Sequence, residues 1–122
     1  MDYNYIKRIL EQTIDSYKIL NEIKDKPGGL DIIKKELSKI HGLVQVLVNK
    51  IEKSENYSDS YYELLSASKL YLKDYNFHNE IDRILQLYSE DPYRIKNIRL
   101  LILTALEKTK LISKAIALLQ VL

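Results

Sequence analysis

Along most of this chain apolar residues return every three or four positions, the period of one face of an α-helix. The clearest run extends from Leu30 to Lys53. Its apolar positions Leu30, Ile33, Leu37, Ile40, Val44, Leu47 and Ile51 are spaced 3 and 4 in alternation, a seam of three heptads. Leu43 and Val46 widen that seam enough to contact two neighbours rather than one. Gly42 lies inside it, where glycine weakens a helix, so the pattern predicts a close approach between helices there.

The segment from Tyr3 to Lys24 repeats the pattern with Tyr3, Ile6, Leu10, Thr13, Tyr17 and Leu20, flanked by Ile9, Ile14 and Ile23. It stops at Lys26-Pro27-Gly28-Gly29, because proline cannot continue a helix and glycine readily takes the left-handed conformation that ends one. So short a link between two long helices predicts an antiparallel hairpin. The polar stretch from Ser54 to Asp59 reads as a loop, and Ser60-Tyr61-Tyr62-Glu63 has the form of a capping box opening a third helix. That helix carries Leu64, Leu65, Ser68, Tyr71, Leu72 and Tyr75 inward. Near Asn76 the phase is lost, and Phe77, Ile81, Ile84, Leu85 and Tyr88 resume it, which favours a break over one continuous helix.

Asp91-Pro92 supplies an N-cap and a proline at the first helical position. The last helix is expected to run from there to about Val121, roughly 45 Å at 1.5 Å per residue, against roughly 35 Å for each of the first two. Ile95, Ile98, Ile102, Ala105, Thr109, Ile112, Ile116 and Leu119 share one face of it. Leu100, Leu101, Leu111, Ala115, Leu118 and Leu122 broaden that face beyond half the circumference. The excess and the overhang point to burial against another chain, centred on Ile98, Ile102, Ala105, Ile112, Ile116 and Leu119; a helix packed by three neighbours of its own fold would look the same. The fold class expected is all-α, one domain across residues 1–122. Its architecture reads as an antiparallel bundle of four helices, or five if the third breaks, with a long C-terminal helix.

Composition narrows the chemistry. The 122 residues contain no cysteine, two His and three Gly, which removes disulfides, thiolate metal sites and cysteine nucleophiles. The acid at position 2 and the lack of an apolar leader argue against a secretory signal, and no apolar run approaches the ~18 residues of a membrane span. A cytoplasmic protein without a membrane partner is expected. Net charge is only +2, but it is unevenly placed. From Pro92 onward Arg94, Lys96, Arg99, Lys108, Lys110 and Lys114 face a single acid, Glu107, so this segment is +5 and the remainder −3. A basic line on a rigid helix can follow a phosphate backbone without reading bases. Lys96, Arg99, Lys110 and Lys114 are therefore candidate nucleic-acid contacts, although the same residues would serve as a solvated face.

Site chemistry is sparse. A carboxylate-bridged di-metal centre needs Glu-x-x-His on two helices, and no Glu precedes a His by three. His78 and Asp82 stand four apart, and His41 flanks Ile40 beside Gly42, where a partly buried histidine bonded to a neighbouring helix fits better than a ligand or base. No phosphate-binding glycine loop is present. Neither a catalytic site nor a cofactor or metal is expected. The ten tyrosines, among them Tyr57, Tyr61, Tyr62, Tyr71, Tyr75, Tyr88 and Tyr93, suit bundle edges, protein interfaces or base stacking. These features favour a non-enzymatic protein–protein interaction module, self-associating as a dimer through the last helix and joining a larger assembly as a small subunit or adaptor. The alternatives are a sequence-independent nucleic-acid-binding subunit and a small helical inhibitor or immunity-type regulator of one target.

Overall fold

The computed structural model describes residues 3–25, 28–54, 58–74, 82–83 and 91–122. Five helices cover most of them: α1 (Tyr3–Glu22), α2 (Gly29–Glu52), α3 (Asp59–Asp74), α4 (Pro92–Lys108) and α5 (Leu111–Leu119). No strand occurs among the described residues. The break expected near Asn76, together with Tyr57, Tyr75, Phe77, His78, Ile81, Ile84, Leu85 and Tyr88, lies outside them.

The α2 seam is sealed as its spacing predicts, with Leu30, Ile33, Leu37, Ile40, Val44, Leu47 and Ile51 all buried. The first two helices run antiparallel: Lys50, near the end of α2, sits with its ammonium 5.0 Å from the centre of the Tyr5 ring near the start of α1. At the opposite end the chain turns through Gly28 in the left-handed conformation, φ 92°. Gly29 then packs so tightly that a Cβ there would lie 3.3 Å from the Lys24 carbonyl oxygen and 3.4 Å from Ile95 Cγ2.

Close approach therefore occurs at Gly29, not at Gly42. Gly42 is exposed, and a Cβ on it would meet nothing within 4 Å. The third helix also departs from expectation. It begins at Asp59, and the Ser58 carbonyl accepts from the amides of Tyr61 and Tyr62. Ser60 is thus already helical, and Glu63 reaches away to Lys114 instead of closing a capping box.

The expected 30-residue C-terminal helix is two helices. Asp91 caps α4 as predicted, its Oδ1 accepting from the Tyr93 amide at 3.0 Å, with Pro92 in the first turn. The helix then stops at Lys108. Thr109 Oγ1 donates to the Ala105 carbonyl at 3.0 Å, and Lys110 adopts φ 62°, a left-handed conformation that costs an L-residue about 1–2 kcal/mol. The reason for accepting that cost is packing. In α4 the buried residues are Ile95, Ile98, Ile102, Leu103, Ala105 and Leu106, and in α5 they are Leu111, Ile112, Ala115 and Leu118. On one continuous helix of 3.6 residues per turn these two sets would point to nearly opposite sides. The turn lets both face inward, with α5 packed against α1 and α3. The buried apolar residues of all five helices form one contiguous cluster.

Candidate functional surfaces

The residues expected to meet another chain divide. Ile98, Ile102, Ala105 and Ile112 are buried in this chain's own core, packed behind its other helices. Leu119 is half-buried and Ile116 is exposed. The broad apolar face on one helix was thus the sum of two faces, and its excess does not require a second chain. What does stand out toward solvent is Leu100, Leu101 (53% exposed) and, beyond the turn, Ile116 and Val121. Leu100 and Leu101 border a shallow depression of about 400 Å³ with Asn97 and Thr104.

The basic line is also dismantled. Arg99 is mostly buried, and its guanidinium grips Asp25 in a two-pronged pair, Nε to Oδ1 at 2.8 Å and Nη2 to Oδ2 at 3.0 Å. Its Nη1 donates to the Leu20 carbonyl at 3.3 Å, near the C-terminus of α1, where a helix has spare acceptors. The hydrogen bond from Arg99 holds the Asp25 pKa below the ordinary carboxylate value against the opposing effect of burial, with further help from Lys96. The same bond raises the pKa of Arg99. Arg99 is therefore a clamp joining α4 to the end of α1. Lys114 is paired with Glu63 on α3 at 2.8 Å. Lys110 sits in the left-handed turn, so Lys96 and Arg99 on α4 no longer share one helix with Lys114 on α5. Glu107, the acid in that line, accepts from the Tyr17 hydroxyl at 3.2 Å.

Of the tyrosines assigned to bundle edges, interfaces or base stacking, Tyr71 is a core residue, as its place on the inward side of the third helix predicts; Tyr61 is also buried, whereas Tyr62 and Tyr93 are exposed. Burial raises the Tyr71 hydroxyl pKa well above that of a free phenol. His41 lies half-buried, as expected, with its ring 5.3 Å from that of Tyr71 on α3. Among the described residues no group of three acids or histidines is placed to hold a metal, and His78 lies outside them. No helix among them is long and apolar enough to cross a membrane.

A large concave surface lies elsewhere, in a groove of about 750 Å³ between α1 and α2. Asp15, Ser16 and Ile19 line it from α1, and Glu36, Gly42, Leu43 and Val46 from α2. Leu43 and Val46 are the two residues that widened the α2 seam. They are half-buried and border open groove instead of a second neighbour. Glu36 is the residue that sequence reasoning missed. It is only 3% exposed, and its Oε1 has Lys39 Nζ at 3.5 Å, the outer limit of an ion pair. Its Oε2 has no hydrogen-bond partner among the described residues. The signal was there: Glu36 stands seven residues before Leu43, so it shares the flank that Leu43 widens. No family profile, curated protein or solved structure matches this chain.

Proposed function

We propose that this chain is a non-catalytic helical bundle, one cytoplasmic domain, that acts as a protein–protein interaction module and joins larger assemblies as a small subunit or adaptor. It self-associates as a dimer, through the outer surface of its last two helices. One observation carries this reading. Large aliphatic side chains remain in solvent on α4 and α5 and just beyond, at Leu100, Leu101, Ile116 and Val121. Scattered exposed leucines are ordinary on a monomer, but adjacent ones beside a depression offer a place where a second copy can remove apolar area from water.

The test is solution mass by light scattering at low and high salt, on protein whose 260/280 nm absorbance ratio shows no nucleic acid. A dimer indifferent to salt, converted to a monomer by combined Leu101→Ser and Ile116→Ser, supports the module. A wild-type monomer contradicts self-association. A monomer that carries nucleic acid and sheds it in high salt supports the phosphate-binding alternative, with Lys96 and Lys110 as the contacts outside the clamps described above.

A further inference from the structure

Three features of the α1–α2 groove go unused within the fold, and they coincide. The first is Gly42. Glycine inside a helix costs about 0.5–1 kcal/mol relative to alanine, yet no neighbour comes within 4 Å of where its Cβ would be. The second is the apolar flank of Leu43 and Val46, opposed across the groove by Ile19 and covered by no described helix. The third is the Glu36 carboxylate, removed from water with one oxygen loosely held and the other unpartnered. A buried carboxylate oxygen without a donor is costly. The terminal torsion of a glutamate is broad and nearly two-fold, so its rotation costs little and can turn a carboxylate oxygen toward a donor entering the groove.

We propose that this groove docks an amphipathic helix of a protein partner, with an arginine or lysine of that helix reaching Glu36. The inference rests on the reading of the chain as an interaction module and names the partner's chemistry. Glu36 to Val46 spans ten residues, about 15 Å, or three turns of a docked helix. Apolar side chains of the partner at i and i+3 or i+4 meet Ile19, Leu43 and Val46, in the manner of helix-in-groove recognition. The missing side chain at Gly42 lets the partner's backbone come close. Asp15 on the rim and Glu36 on the wall outweigh Lys39, which sets the sign of the charge that fits.

A phage-displayed library of helical peptides, panned on the full chain, supplies the probe. The selected peptides are expected to carry a basic residue at one fixed position among apolar residues of helical spacing. They should bind Glu36→Gln and Gly42→Leu at least about tenfold more weakly than the wild type, the equivalent of 1.4 kcal/mol. Circular dichroism and light scattering on both variants should match the wild type, which separates this test from that of self-association. Selected peptides without a basic residue, or with equal affinity for all three proteins, overturn the proposal. A change of oligomer mass in Gly42→Leu also overturns it, because a second copy would then occupy the groove. So does a groove that selects no helix yet takes up arginine amide, seen as chemical-shift changes lost in Glu36→Gln, since the site would then be a small-cation pocket.

Discussion

The α2 helix and the C-terminal run from Pro92 onward present similar strings of aliphatic residues, yet one is a single unbroken helix and the other is two helices joined by a turn. In α2 the buried positions stay in phase across all 24 residues, so a single face serves from end to end. In the C-terminal run the buried set changes side between Leu106 and Leu111. Breadth of an apolar face averaged over a whole run therefore says little about how many neighbours it meets. A rotation of that face partway along signals a change of direction, and the turn at Lys110 is where the chain makes it.

The comparison can be broken most severely at Ile102, which lies fully buried in the middle of α4. Ile102→Asp places a carboxylate among aliphatic side chains at a cost of several kcal/mol, a large share of a domain stability of about 5–15 kcal/mol. Loss of the cooperative thermal transition is expected, and an unchanged melting curve would mean the face is misassigned.

Next in size is the Arg99–Asp25 clamp, which anchors α4 where α1 ends. Arg99→Ala should cost about 1.5–3 kcal/mol in urea unfolding, and a phosphate-binding surface arginine would cost almost nothing. The clamp also predicts a pH dependence. The Asp25 pKa is lowered in the folded state relative to about 3.9 in the unfolded chain. Its stabilisation is complete above about pH 5 and disappears as pH falls through the lowered value. The stability gap between wild type and Asp25→Asn should therefore narrow from pH 5 to pH 3 and stay constant from pH 5 to pH 8.

A smaller and sign-opposed effect separates the two glycines. Gly29→Val, at the tight contact with Lys24 and Ile95, should destabilise by roughly 1–3 kcal/mol through overpacking. Gly42→Ala should stabilise by roughly 0.5–1 kcal/mol, because its site is open and helical. The reverse order would restore Gly42 as the point where helices of this chain touch.

Much of the fold was legible because periodicity and punctuation agreed. The α1 and α2 seams, the Gly28-Gly29 turn and the Asp91-Pro92 start each rest on local chemistry that tertiary packing then uses, while Lys26 and Pro27 lie outside the described residues. The C-terminal turn was hidden because Thr109-Lys110 contains no breaker, and only the phase of the flanking aliphatics reports it. The charged residues were hardest. Whether Arg99 is a solvent cation or a clamp depends on Asp25, 74 positions away, and no local pattern encodes that pairing. For Glu36 the spacing to Leu43 marks the flank it occupies, but its burial depends on how α1 lies against α2.

The turn at Lys110 decides how the C-terminal aliphatics are divided between core and surface, and Lys110→Gly tests it most directly. In a left-handed turn glycine relieves the strain of the lysine, and unfolding free energy measured in urea should rise by roughly 0.5–1 kcal/mol. In an unbroken helix the same substitution would lower it by about 1 kcal/mol, and that result would return the C-terminal run to a single long helix with an apolar face free to meet another chain.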